Sequence, residues 1–174
     1  MNDEKPGAID SALFRRVMGS FATGVTVITT KTHGEVRGMT ANAFMSGSLD
    51  PPLCVISVGK TARIHPMLKE AGHFGVSILA RGQERLSAHF GGRPDPDLQP
   101  AYRHMGTIPV LADAAATITA TVVGHHDCGD HTIFIGAIAE LVAHGGAPLV
   151  VHGGRYASLA YTGDPTIVPV TDFW

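Results

Sequence analysis

The chain lacks both glycine-rich loops that hold phosphate in the Rossmann and P-loop folds. None of its 21 glycines forms a G-x-G-x-x-G that follows a strand and opens a helix. Gly59-Lys60-Thr61 copies only the last three letters of a P-loop, because Leu53 to Val58 ahead of it reads as strand. There is no G-x-S-x-G elbow for a serine hydrolase and no H-E-x-x-H or C-x-x-C for a metal. The only two cysteines, Cys54 and Cys128, lie far apart and read as free thiols of a reducing compartment. Met1 to Asp10 is polar and acidic without an apolar core, so no secretory signal is expected. No apolar run reaches the ~18 residues of a membrane span. A cytoplasmic protein without membrane contact is the expectation. Net charge is −2, and no basic cluster exceeds Arg15-Arg16, which excludes a nucleic-acid footprint.

What is present is a globular composition, 44% hydrophobic and 16% charged over 174 residues. That length suits one domain, residues 1–174, with residues 1–9 and 162–174 as tails. Asp10-Ser11 caps a helix to about Ser20 with Leu13, Phe14, Val17 and Phe21 on one face, and Gly24 ends it. Val25 to Thr30 is almost wholly β-branched and reads as a strand. His33-Gly34-Glu35 turns the chain into a return strand, Val36 to Ala43. Gly38 to Pro52 is rich in small hydroxyl and amide side chains and reads as a loop-like platform for a flat polar ligand. Leu53 to Val58 reads as a buried strand, Thr61 to Glu70 as a short helix distorted by Pro66, and Phe74 to Leu79 as a further strand. Gln83 to Phe90 reads as a helix, and Gly91 to Pro100 as a variable surface loop. Two long β-branched runs, Ala114 to His126 and His131 to Ala143, form a hairpin about Asp127 to Asp130. Pro148 to His152 and Arg155 to Tyr161 add closing strands. Phe173-Trp174 end the chain as aromatics able to dock on a neighbouring subunit. Consecutive strands with few short helices predict an α+β, β-rich fold, with a closed antiparallel barrel favoured over a doubly wound sheet.

Two segments carry chemistry. Gly59-Lys60-Thr61-Ala62-Arg63 sits where a strand opens a helix and brings two cations and a hydroxyl, a place for an anion or simply a solvated turn. His125 to His131 holds three histidines, two aspartates and a cysteine. Strand alternation puts His125 and His126 on opposite faces and disfavours a shared metal. The segment reads either as a polar hairpin tip or as a way of placing His131 in a ligand site.

Five blocks then occur in an order that resembles the flavin reductase family. They are Phe14 to Thr30, Gly38 to Pro52, Phe74 to Leu79 with Ala88-His89-Phe90-Gly91, Gly129-Asp130-His131-Thr132-Ile133-Phe134-Ile135-Gly136, and Pro148 to Tyr156. The resemblance runs from about Phe14 to Tyr161. It implies a split β-barrel with short flanking helices, a homodimer, and FMN or FAD bound near the subunit interface. It implies that NADH or NADPH delivers hydride to the flavin, and that the reduced flavin serves a partner monooxygenase component. By position, Met39, Thr40 and Asn42 would face the ring and ribityl chain. Ser57, Val58 and Gly59 would add backbone and hydroxyl contacts. Lys60, Thr61, Arg63 and the His89-Phe90 segment would meet the phosphate. Asp130, His131, Arg155 and Tyr156 would lie near the nicotinamide nucleotide, with His131 the catalytic candidate. Ser77 replaces the family's usual asparagine. The competing reading is a tight FMN-binding electron-transfer or sensor protein without free-flavin turnover.

Overall fold

The computed structural model describes residues 9–160; the terminal aromatics Phe173 and Trp174 lie outside them. Helix α1 is Ser11–Gly19, and the Asp10 carboxylate accepts from the backbone N–H of Ala12 and Leu13 at 3.2 and 3.0 Å. It ends at Gly19, next to the expected Ser20, without running on to Gly24. The Gly19 carbonyl instead accepts from Gly153 N–H at 2.8 Å, and the chain extends into the two-residue strand β1, Thr23–Gly24.

Strands β2 (Thr26–Thr32) and β3 (Glu35–Ala41) form a hairpin whose turn residues His33 and Gly34 both have positive φ, 49° and 83°. The right-handed twist of a two-residue hairpin selects such a turn. Strand β4, Phe44–Leu49, follows after only Asn42 and Ala43. The return strand expected over Val36 to Ala43 is thus present to Ala41, and the rest of the loop-like stretch Gly38 to Pro52 is mostly a corner and a further strand. Small polar residues resemble a loop in composition, yet alternation puts Phe44, Ser46 and Ser48 inward and leaves Met45, Gly47 and Leu49 exposed.

Strand β5, Pro52–Gly59, alternates too. Cys54, Ile56 and Val58 are buried, whereas Leu53, Val55 and Ser57 are half-buried, so only one face joins the core. Helix α2, Ile64–Ala71, holds Pro66 in its first turn, where no intrahelical N–H bond is needed, and Gly72 in the left-handed region ends it. Strand β6 is His73–Ile78, and helix α3 is Glu84–Phe90. An additional hairpin, β7 (Tyr102–Met105) and β8 (Ile108–Leu111), was not foreseen. Strands β9 (Ala116–Cys128) and β10 (His131–Ala143) make the long hairpin, with its turn tightened to Gly129-Asp130. Cys128 thus belongs to the strand, opposite His131, and both it and buried Cys54 are free thiols. Strands β11 (Val150–His152) and β12 (Arg155–Ala157) complete the chain's described elements.

The main sheet has seven strands in the order β3-β2-β6-β9-β10-β5-β4, and its neighbouring strands pair antiparallel. Its two edges, β3 and β4, are consecutive in the chain. Their ends are separated by a link that spans about 10 Å at most. The sheet must curl until its edges meet at that corner. No ladder joins β3 to β4 among the described residues, so the expected closed barrel is instead a curled sheet with an open seam. Register shifts in the β9–β10 and β4–β5 pairs supply local bending.

The concave side is filled by Ile28, Ile56, Val58, Phe74, Val76 and Phe134, closed by Ile64 and Leu68 of α2. A second cluster lies behind β2, where Val25 and Val27 meet Leu79, Leu111 and Leu149. Strand β2 is buried on both faces, which is why its sequence is β-branched without alternation. At the centre, a Cβ on Gly136 would stand 2.6 Å from the Phe74 ring and 2.8 Å from Ala120 Cβ. Gly136→Ala should therefore lower stability by about 2 kcal/mol, read as a shifted denaturant midpoint with an unchanged slope.

Candidate functional site

The free edge of β3 forms one wall of a cleft of about 830 Å³. Strand β3 pairs only with β2, so alternate residues present their peptide N–H and C=O away from the sheet. Val36 to Thr40 line this wall, Thr61 to Ile64 at the start of α2 line the second, and His89 to Gly92, Pro94, Pro100 and Tyr102 line the third. Phe90 can lie against β3 because position 38 is glycine: a Cβ there would come within 2.6 Å of the ring. Two cations, Arg37 and Arg63, enter the lining. Arg37 Nε is buried without a hydrogen-bond partner. No side chain caps α2, and no acidic residue occupies its first turn. The cleft is thus rich in donors and suited to an anion or a ring bearing carbonyl acceptors.

The wall made by residues 91–100 is not slack. Asp95 N–H donates to His89 Nδ1 at 3.0 Å, and Arg85 donates to Asp95 Oδ2 from Nε and Nη2 at 3.1 and 2.6 Å. Asp95 Oδ1 accepts from Asp97 N–H at 3.0 Å. With Nδ1 accepting, neutral His89 carries its proton on Nε2. The Arg85 hydrogen bonds, helped by Asp97 N–H, hold the Asp95 carboxyl below its ordinary value. A depressed carboxyl contributes stability above its unfolded-state pKa and loses that contribution as pH falls through the folded-state value. Asp95→Asn should therefore lower stability at neutral pH, and the gap to the parent protein should close on acidification below about pH 4, as denaturant titrations across pH would reveal.

A smaller cleft of about 320 Å³ adjoins the first and shares Thr40 with it. Its lining includes Asn42, Ser87, Arg93 and Tyr156. Thr40 Oγ1 donates to the Ser87 carbonyl at 2.7 Å, and Tyr156 OH donates to Ser87 Oγ at 3.0 Å. Ser87, itself buried, ties β3, α3 and β12 together.

The β9–β10 hairpin tip makes a third group. Cross-strand register sets His131 opposite Gly59, and the imidazole Nε2 would lie 3.7 Å from a Cβ placed there. His131 Nδ1 lies 2.7 Å from Asp130 Oδ1. That hydrogen bond with His131 depresses the Asp130 pKa, so the carboxylate accepts and Nδ1 donates. Neutral His131 consequently offers a lone pair at Nε2, and only its protonated form offers a second donor. Lys60 N–H donates to the Asp130 carbonyl at 2.9 Å, while Lys60 Nζ sits 3.3 Å from Asp127 Oδ2.

Of the residues singled out from sequence, Met39, Thr40, Thr61, Arg63, His89 and Phe90 line the large cleft, and Asn42 and Tyr156 join at the small one. Gly59, Lys60, Asp130 and His131 gather instead at the hairpin tip, outside both linings. Val58 is wholly buried, which leaves only its backbone for a ligand, and Ser57 N–H donates to the Ala43 carbonyl. Arg155 is exposed on β12 and lines neither cleft. Among the described residues, no group of three or more His, Cys, Asp or Glu side chains is placed to hold a metal ion. Arg37, Ser87, Arg93 and Tyr102 were not anticipated. The glycine at 106, with φ +58°, is the sequence signal that marks the hairpin carrying Tyr102.

A family model described as a flavin reductase like domain matches residues 18–160. An NADH-dependent flavin reductase from Rhodococcus sp is 41% identical over 153 residues, covering 86% of each chain. The reductase component of 4-hydroxyphenylacetate 3-monooxygenase from Thermus thermophilus is 39% identical over 149 residues, covering 85% of this chain and 96% of that one. The solved structure of flavin reductase PheA2 in its native state aligns with a TM-score of 0.85 at 42% identity, over 88% of this chain and 100% of the other. With a match across most of its length and a curled β-rich fold shared with solved relatives, the chain belongs to the flavin reductase like family.

Proposed function

We propose that this chain is an NAD(P)H:flavin oxidoreductase that reduces FMN or FAD and supplies the reduced flavin to a partner monooxygenase component. The observation that carries the reading is the donor-rich cleft along the free edge of β3, in a chain whose relatives are named as NADH-dependent reductases. Those names favour NADH over NADPH. The residues fit a flavin. The cleft volume lies within the range of cofactor sites. The orphaned Arg37 Nε, the Arg63 guanidinium and the open start of α2 match a phosphate or ring carbonyls. A tight FMN carrier or sensor is not favoured, since the relatives compared are reductases or reductase components.

When bound, flavin supplies the two-electron acceptor for a hydride from the reduced nicotinamide. The chain's own part is binding and orientation. Met39, Thr40 and Asn42 present edge-strand backbone and short side chains to the ring and ribityl chain. Thr61, Arg63, His89 and Phe90 frame the phosphate end, with Lys60 close by in sequence. Gly59, Ser57 and Val58 bring backbone near the hairpin tip, where Asp130 orients His131. Arg155 and Tyr156 belong to the nicotinamide side of the same proposal. His131 acts by positioning, since hydride transfer depends chiefly on bringing two rings together in the right geometry.

The split-barrel description fits the open seam between β3 and β4. Residues 1–174 are proposed as one domain acting in the cytoplasm, where nicotinamide nucleotides are abundant. A homodimer is proposed because α1 has no buried residue, and Leu13, Phe14, Val17, Met18 and Phe21 are all exposed. Phe14→Asp with Val17→Asp should halve the apparent mass in sedimentation; an unchanged mass with both aspartates would refute α1 as the contact.

The activity test mixes purified protein, NADH and excess FMN and follows the nicotinamide absorbance band. Many turnovers per protein are expected; one stoichiometric reduction of tightly held flavin would favour the carrier. His131→Ala should reduce NADH turnover on the order of tenfold to a hundredfold while changing flavin affinity little. Weakened flavin binding with intact turnover would reverse that role.

A further inference from the structure

We infer that Asp127 sets the affinity for flavin phosphate by holding the Lys60 ammonium against the β9–β10 hairpin tip, away from the cleft. The inference deepens the proposed function and rests on its assignment of Lys60 to Arg63 to the phosphate end. Thr61, Ala62, Arg63 and Ile64 line the large cleft, yet Lys60, the residue just before them, does not. Its Nζ is engaged by Asp127 Oδ2 at 3.3 Å.

Asp127 is itself anchored from inside. Thr132 Oγ1 lies 3.3 Å from Asp127 Oδ1, and His65 Nε2 lies 2.9 Å from Thr132 Oγ1. The carboxylate can only accept, so the single Thr132 hydroxyl proton points to Asp127, and His65 Nε2–H donates to the Thr132 oxygen. His65 is buried, packs edge-on against Phe134 at 5.7 Å, and has its pKa lowered by that burial and by nearby Lys69. It stays neutral at pH 7. The hydrogen bond from Lys60 lowers the Asp127 pKa, so the carboxylate stays charged. The chain His65–Thr132–Asp127 thus fixes an anion where it competes with any phosphate for Lys60.

Both consequences have the same sign. The carboxylate occupies the cation that would otherwise turn toward the phosphate, and its charge repels the incoming dianion. The Lys60–Asp127 pair is solvent-exposed, with side-chain exposures of 38% and 68%, so it is weak enough to exchange. A reductase that must release its product gains faster flavin departure from such a competitor.

The test compares FMN with riboflavin, which lacks the phosphate, by fluorescence titration of the full-length protein. Asp127→Asn should tighten FMN about fivefold and leave riboflavin unchanged. Thr132→Val should shift FMN in the same direction by less. Adding Lys60→Met to Asp127→Asn should cancel the gain. An Asp127→Asn protein whose FMN affinity is unchanged or weaker would overturn the inference. Arg63→Met alone, in the lining of the large cleft, separates the two levels. If it leaves the FMN-to-riboflavin ratio unaltered, the phosphate assignment fails and this inference falls with it. If it lowers FMN affinity selectively while Asp127→Asn has no effect, the phosphate assignment stands and only the role of Asp127 is lost.

Discussion

The two-residue corner Asn42–Ala43 is the constraint on which the rest of the molecule depends. It joins the two edge strands of a seven-stranded sheet, so the sheet cannot lie open and flat. Curling creates the concave core around Phe74 and Phe134 and brings α2 across it. The seam remains unzipped, and that leaves the outer edge of β3 with peptide groups that no strand satisfies. An exposed edge is ordinarily a liability for aggregation. Here α3 and the 91–100 wall stand over it, so the edge becomes a lined cleft rather than a sticky border.

At this cleft and at the β9–β10 hairpin tip, polar side chains are oriented by aspartates. Asp95 steers His89 through the loop backbone, Asp130 fixes the Nδ1 proton of His131, and Asp127 engages Lys60. In each case a cation or an imidazole takes its direction from an aspartate: His89 from the Asp95 backbone N–H in the wall loop, His131 from the Asp130 carboxylate in the hairpin turn, and Lys60 from the Asp127 carboxylate near the end of β9. Turns are suited to this, because aspartate favours them and the hairpin register places its flanking residues with little conformational freedom left. The arrangement also explains why catalysis needs no elaborate acid–base set here: orientation is what the chain provides.

Much of the fold was legible because β-branched runs and glycine turns act locally. The hairpin Thr26 to Ala41, the long pair flanking Gly129-Asp130 and the Asp10 cap all follow from neighbours within a few residues. What was not legible depends on distant packing. Gly38 to Pro52 looked loop-like beyond the return strand Val36 to Ala43, because small polar side chains dominate its composition. Its extended form comes from pairing with β2 on one side and β5 on the other. The end of α1 near Ser20 was legible, but the partner of the Gly19 carbonyl, Gly153, lies more than a hundred residues away and was not. Leu53 to Val58 gave no alternation to read, since its outward residues Leu53 and Val55 are apolar and only half-buried.

The site divides in the same way. Met39, Thr40, Thr61, Arg63, His89 and Phe90 were recognisable in motif order and converge on one cleft. Arg37 was not, because an arginine on a strand is ordinary until an edge leaves its Nε buried and unpaired. Ser87 was missed because its role is to receive Thr40 and Tyr156 from strands far apart in sequence. Lys60 is the instructive reversal. Its place in the chain points to the phosphate, whereas its ammonium faces Asp127. Sequence order assigns a residue to a neighbourhood, but charge competition within that neighbourhood decides which ligand it serves.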